Sequence, residues 1–258
     1  MIHLLYFSPT HTSAKIAHAV AEGINIPIES EWDVTYETPK EVTVVDSGLV
    51  IIAVPVYGGR VAETAVERLK FFQGKQVPAV LLALYGNRDY EDALKELSDI
   101  ATQQGFVPLT AGAFIGEHSY STPEQPIAEG RPDEEDLKRA RELGNLTSEK
   151  WQAATSICNI PALKVKGNFP YKQKGKHTPQ APITDGGLCT QCGYCIDICP
   201  TNAISLSDDE GTYNDPALCI KCCACVKECP EHARSFETPF RAYLHENFQA
   251  RREAEFFL

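Results

Sequence analysis

Between Cys189 and Pro230 the chain spells one twelve-residue phrase twice. The first copy is Cys189-Thr-Gln-Cys192-Gly-Tyr-Cys195-Ile-Asp-Ile-Cys199-Pro200 and the second is Cys219-Ile-Lys-Cys222-Cys223-Ala-Cys225-Val-Lys-Glu-Cys229-Pro230. Both read C-x2-C-x2-C-x3-C-P, and eight thiolates at this spacing bind two [4Fe–4S] clusters. Three thiolates separated by two residues wrap three corners of one cube. The fourth, three residues on and followed by proline, points to the other cube. Cys189, Cys192 and Cys195 therefore pair with Cys229, and Cys219, Cys222 and Cys225 with Cys199. Crossed ligation ties the halves together, and the small Gly193 and Ala224 leave room for a cube. The alternative is structural zinc, which needs two C-x-x-C pairs at suitable separation rather than two four-cysteine runs each ending in proline.

Ten cysteines are present, so Cys158 and Cys223 remain outside the two phrases. Both read as small buried residues, Cys223 packed beside a cube. Eight cysteines could instead form four disulfides in an extracellular chain. The start, Met1-Ile-His-Leu-Leu-Tyr-Phe, has no basic region and too short an apolar stretch for a secretory signal. No apolar run approaches a membrane span. A reducing cytoplasm is expected, and exposed clusters favour an anaerobic cell. The net charge of −11 is uneven: −8 over 1–125, +3 over 126–180 and −6 over 181–232. Such a chain does not hold nucleic acid through a basic face, and anionic membranes are disfavoured. Basic patches on redox partner proteins are its natural complement. Lys221 and Lys227 are the only lysine or arginine residues in the repeat unit 188–232.

The length allows one large domain or two ordinary ones. Apolar strands are expected at 2–7, 49–54, 80–84 and 106–115, with helices at 13–22, 61–72 and 90–104, and the remaining strand within 34–46. Apolar strands alternating with amphipathic helices predict an α/β fold with a doubly wound parallel sheet covered on both faces. Residues 132–154 read as a helix with Pro132 and an acidic run at its start, 160–187 as loop, and 240–258 as helical with an apolar end packing back. The expected division is 1–125, a connecting helix and linker at 126–182, a smaller α+β cluster domain at 183–235, and a C-terminal helix at 236–258.

The turn after the first strand, Ser8-Pro9-Thr10-His11-Thr12-Ser13, gathers four hydroxyls where a helix begins. Helix N-termini present free amides and partial positive charge, so this turn reads as a phosphate site. A Ser/Thr-rich helix cap is the plainer alternative. Its place at the carboxyl end of the first strand of a doubly wound sheet is where ligands collect.

Here the chain resembles the flavodoxin family, whose phosphate loop S/T-x-T-G-x-T is met by Ser8, Thr10 and Ser13, with His11 standing where glycine is usual. Two further loops fall at that family's flavin-clasping positions: Pro55-Val56-Tyr57-Gly58-Gly59 and Tyr85-Gly86-Asn87-Arg88-Asp89-Tyr90. The resemblance implies bound FMN, with Tyr57 and either Tyr85 or Tyr90 as stacking rings. It also implies Gly58 and Gly59 as backbone that approaches the flavin. The whole chain resembles flavodoxin–ferredoxin fusion proteins, the second half being of the bacterial 2[4Fe–4S] ferredoxin type.

In the loop Gly116-Glu117-His118-Ser119-Tyr120, Glu117 and His118 are candidates to donate protons or face a substrate, and a surface loop with a satisfied histidine is the plainer reading. Lys164, Lys166, Lys172, Lys174 and Lys176 lie between two acidic units, as a charge tie or a solvated linker. The expected function is an electron relay between FMN, two clusters and external redox partners. A flavin-dependent reductase of a quinone, nitro compound or oxygen, fed by the clusters, is the alternative, and a redox sensor the third.

Overall fold

The computed structural model describes residues 1–157, 160–175, 178–207 and 211–258. Cys158 and Lys176 lie outside the described residues. The first unit runs Ile2–Tyr6 (β1), Thr12–Ile24 (α1), Ile28–Asp33 (β2), Thr43–Val45 (β3), Leu49–Tyr57 (β4), Arg60–Val61 (β5), Glu63–Leu69 (α2), Phe72–Gly74 (β6), Val77–Tyr85 (β7), Ala93–Gln103 (α3), Phe106–Ile115 (β8) and Glu134–Ala153 (α4). β2, β1, β4, β7 and β8 lie side by side in that order, all parallel. Counted among themselves this is 2-1-3-4-5, the doubly wound order of flavodoxin-like folds. Alternate side chains serve opposite faces: Leu5, Val50, Ile52 and Leu81 pack with α2 and α3, while Leu4, Leu49, Ile51 and Leu82 pack with α1 and α4. Burial on both faces is why these strands are apolar throughout rather than alternating.

Three expectations need correction. The fifth parallel strand is β2 at 28–33, not within 34–46. It is the sheet edge, and its sequence Ile-Glu-Ser-Glu-Trp-Asp is mostly exposed, so it lacks the apolar run of its neighbours. The stretch 34–46 instead supplies β3, which pairs with β6 outside the main sheet. The helix expected at 61–72 spans only Glu63–Leu69, after which the chain turns into β6. The C-terminal stretch is not helical throughout: Pro239–Asn247 is a helix (α7), and Glu255–Phe257 (β13) adds antiparallel to β8. β13 thereby covers an edge that would otherwise be open.

Residues 163–174 are strapped along α3 rather than left as free linker. The Asp92 carboxylate accepts from the amides of Asn168 (2.8 Å) and Lys172 (2.6 Å), and Tyr171 donates to Asp99 (2.5 Å). Lys166 pairs with Asp89 and Lys172 with Glu91, so part of the lysine run does meet the acidic first unit.

The cysteine unit is built from Ile183–Thr184 (β9), Tyr194–Asp197 (α5), Ile204–Ser207 (β10), Gly211–Asn214 (β11), Ala224–Lys227 (α6) and Arg234–Ser235 (β12). β9 pairs with β12 and β10 with β11, both antiparallel. The sequence repeat is a backbone repeat as well. Left-handed residues fall at Gln191 and Lys221, at Gly193 and Cys223, and at Asn202 and His232. Among the described residues no helix is long and apolar enough to cross a membrane.

Candidate functional site

At the carboxyl ends of β1, β4, β7 and β8 the loops enclose a cleft of about 300 Å³, at the small end for a small-molecule site. The Ser8–Ser13 turn forms one wall. Ser8 Oγ accepts from the Ala14 amide at 3.0 Å, and the Lys15 amide donates to the His11 carbonyl. The amides of Thr12 and Ser13 have no acceptor among the described residues. The Thr10 and Thr12 hydroxyls sit 3.5 Å apart beside them. Open amides, hydroxyls and a 13-residue helix dipole form an array that fits a phosphate. His11 adopts φ 60° and ψ −4°, the left-handed shape that glycine takes without cost. The turn therefore keeps its path despite the substitution. The His11 ring is exposed and outside the cleft, with Nε2 3.9 Å from Glu228 of the cysteine unit.

Pro55, Val56 and Tyr57 end β4, which folds back on β5 with Val56 opposite Val61 and Tyr57 opposite Arg60. Gly58 (φ +63°) and Gly59 (φ +83°) make the turn. A Cβ on Gly59 would lie 2.9 Å from Glu91 Cβ on a backbone at φ +83°, so glycine is favoured there. Tyr57, Tyr85, Gly86 and Asp89 line the cleft. Asn87 and Tyr90 do not. Asn87 is buried and donates to the carbonyls of Phe248 (2.6 Å) and Ala250 (3.0 Å). Tyr90 is fully buried, its ring 5.3 Å from that of Tyr85 and its hydroxyl 2.7 Å from Glu255. Both side chains anchor the C-terminal tail, which sequence reasoning had no means of placing here. The other aromatic rings in the cleft are Tyr120 and Phe240. Tyr120 was within the loop singled out at 116–120, whereas Phe240, Ile220 and Lys221 come from distant sequence and carry no local signal. Burial holds the Tyr57 and Tyr120 phenols well above their usual range, and they stay neutral.

Glu117 and His118 line the cleft but are engaged. Glu117 pairs with Lys227 of the cysteine unit (2.5 Å) and accepts from the Gly130 amide (3.0 Å). His118 Nδ1 accepts from the Tyr120 amide at 3.0 Å, and the ring packs against Gly86. Burial first, then the charges of Lys227 and Arg88, push the His118 pKa down to about 4. At neutral pH the ring is a fixed, uncharged wedge. The unfolded chain takes up a proton near pH 6.5 that the folded chain refuses, so stability falls as pH drops from about 6.5 to about 4 and levels below that. Denaturation midpoints of wild type and His118→Gln should therefore diverge through this window; parallel curves would contradict the burial of an uncharged ring.

The cysteines ring two further cavities. Cys189, Cys192, Cys195 and Cys229 line one, and Cys199, Cys219, Cys222 and Cys225 line the other. Each cavity thus takes three thiols from one phrase and one from the other. Among the described residues no group of His, Cys, Asp or Glu is arranged to hold a metal ion; the thiols surround a space instead. Burial pushes the Cys195, Cys219, Cys222 and Cys225 thiols up, Cys225 to about 11. Thiolates here need a positive core beside them, as a cubane's irons supply. The Ala203 amide donates to Cys199 Sγ at 3.3 Å. Gly211 (φ +78°) lies where a Cβ would meet Cys189 Sγ at 2.7 Å. Cys223 also lines the second cavity, at the left-handed position that Gly193 holds in the first phrase.

The two units are fixed to each other. Arg68 of α2 donates through Nη2 to the Pro200 carbonyl (2.5 Å), beside Cys199, and Glu117 pairs with Lys227. Ile220 lines both the large cleft and the second thiol cavity.

Residues 188–234 match the family model described as a 4Fe-4S dicluster domain. No curated protein matches the chain. Solved structures similar to the chain include a flavodoxin from the domain Archaea, at 14% identity and a TM-score of 0.38, covering 58% of this chain and 98% of that one. Oxidised flavodoxin 1 from Bacillus cereus is similar at 10% identity and a TM-score of 0.40, with 60% and 99% covered. The azoreductase AzrA is similar at 13% identity and a TM-score of 0.39, with 58% and 100% covered. The strand order on one side and the matched cysteine domain on the other lead to one architecture: a flavodoxin-like parallel sheet joined to a 4Fe-4S dicluster domain.

Proposed function

We propose that the chain relays electrons between FMN in the cleft and two [4Fe–4S] clusters in the thiol cavities, and through them to external redox partners. The observation that carries this reading is Ile220, one side chain in the walls of both the cleft and the second cavity. A flavin exchanges one or two electrons and a cubane one, so the pair converts between paired and single-electron traffic. The chain's part is to hold the two sites on either side of a shared wall residue, Ile220. It does so with the Glu117–Lys227 ion pair and the Arg68–Pro200 bond. In the cleft, Thr10, Thr12 and the open amides hold the phosphate, and Tyr57 and Tyr120 offer rings to the flavin.

A reductase of a small substrate would need free polar groups converging over the flavin. Glu117 and His118, the groups best placed, are committed to Lys227 and to the Tyr120 amide. That commitment favours the relay.

Anaerobically purified protein should carry one FMN and about eight irons. Ser8→Ala with Thr10→Ala removes a loop-fixing acceptor and a phosphate donor. It should weaken FMN retention at least tenfold, equal to about 1.4 kcal/mol, and leave iron unchanged. Unaltered flavin content after anaerobic gel filtration would remove the phosphate-loop assignment.

A further inference from the structure

Arg234 is a buried cation in the wall of the first thiol cavity, with no carboxylate partner among the described residues. It is 5% exposed. Its Nη1 donates to Thr184 Oγ1 (2.9 Å) and Thr212 Oγ1 (2.5 Å), and its Nη2 to Asn214 Oδ1 (2.7 Å). Nη1 also lies 3.8 Å from Cys195 Sγ, a thiol of the first cavity. Cys225, a thiol of the second, is buried in one cluster with Cys195 and Ile204, where the guanidinium's positive charge bears on it. Nε is buried and has no partner.

These facts leave two debts. A guanidinium stripped of water is costly unless an anion lies beside it, and three neutral acceptors do not supply one. A buried N–H without an acceptor costs further. One kind of neighbour settles both: a cubane held by four thiolates is net negative, gains another negative charge on reduction, and presents sulfur atoms that accept from N–H groups.

Building on the relay reading, we propose that Arg234 is a shared counter-ion of the two clusters, neutralising both and holding both at higher reduction potential than the cysteine shell alone would give. Positive charge favours the more negative, reduced form, so both clusters become easier to reduce. Because the guanidinium lies against Cys195 of the first set and its charge bears on Cys225 of the second, it also stabilises an electron on either cube, which keeps the two close in potential. The Thr184, Thr212 and Asn214 acceptors orient the fork without cancelling its charge. Among the described residues no other cation has this placement: Lys221 lines the large cleft and Lys227 is paired with Glu117.

The test is an anaerobic reductive titration of the full chain, followed by EPR, for wild type, Arg234→Gln and Arg234→Lys. In Arg234→Gln both clusters should become harder to reduce, the one-electron equilibrium falling about tenfold, which is about 59 mV. Arg234→Lys keeps the charge and loses the fork, and should restore most of the shift. Unchanged potentials in Arg234→Gln overturn the proposal. Equal shifts in the two variants also overturn it, because packing rather than charge would then be responsible. Should Arg234→Gln lose iron, Arg234→Lys decides alone: one-electron equilibria within about threefold of wild type support the counter-ion, and a tenfold fall, about 59 mV, refutes it. A failure of the relay reading looks different, since the wild type itself would then show no cubane signal or no flavin.

Discussion

Replacing Cys199 by alanine should empty the second cluster site and spare the first, although Cys199 belongs to the first sequence phrase. Iron should fall from about eight to about four per chain. The remaining EPR signal should match that of Cys225→Ala and differ from that of Cys195→Ala. The structure supplies the reason: Cys199 lines the cavity of Cys219, Cys222 and Cys225, while Cys195 lines that of Cys189, Cys192 and Cys229. Local contacts hold Cys199 there. The Ala203 amide bonds its sulfur, and the next carbonyl, that of Pro200, is gripped by Arg68. Losing one of four thiolates removes both a ligand and a negative charge, and a buried cube has no water to replace them. Grouping of Cys199→Ala with Cys195→Ala would refute crossed ligation and restore one cluster per phrase.

Sequence reasoning reached furthest where local chemistry and fold agree. The eight cysteines were legible because ligand spacing is a local constraint, and the unit formed by 183–235 closes on itself through β9 and β12. Strand β8 was placed at both ends because it is buried along most of its length. The place of the Ser8–Ser13 turn, at the start of α1 and in the cleft wall, was legible because hydroxyls gather where helices begin. The failures share a cause, which is that the deciding contact is remote. Asn87 and Tyr90 sit in a loop that lines the cleft, but their partners are Phe248, Ala250 and Glu255, about 160 residues on. The remaining strand was set within 34–46 rather than at β2 because an edge strand need not be apolar on both faces. Helix α4 was set in the connecting stretch, yet Ala140 and Leu143 share a core with Ile16 and Val20 of α1. Ile220 is an ordinary residue between two cysteines, and only the docking of the two units places it in both walls.

That docking sets the last expectation: Arg68→Met should cost about 3 kcal/mol of stability and slow electron exchange between the flavin and cluster sites. Arg68 is 5% exposed and has no carboxylate partner among the described residues. Its Nη1 donates to the carbonyls of Val34 (2.8 Å) and Thr35, and its Nη2 to that of Pro200, with the guanidinium 5.6 Å from the Phe7 ring centre. Methionine fills much of the volume and packs on Phe7, so the apolar part of the contact survives. The three carbonyls lose their donor, at roughly 1–3 kcal/mol for each that stays buried; water reaching some of them, and relief of the desolvated charge, offset part of this. Two of the three bonds fix the chain after β2 inside the first unit, and the third alone joins the units. The variant should therefore unfold at lower denaturant and become more open to proteolysis within 160–182, while FMN and iron content stay near wild type. Reduction of the clusters after photoreduction of the flavin should slow, because the Pro200 turn carries Cys199 and is no longer held against the first unit. Arg68→Lys keeps one donor and should fall between. A variant that loses stability but exchanges electrons at the wild-type rate would show that Arg68 only braces the first unit, leaving Glu117 and Lys227 to hold the cluster domain in place.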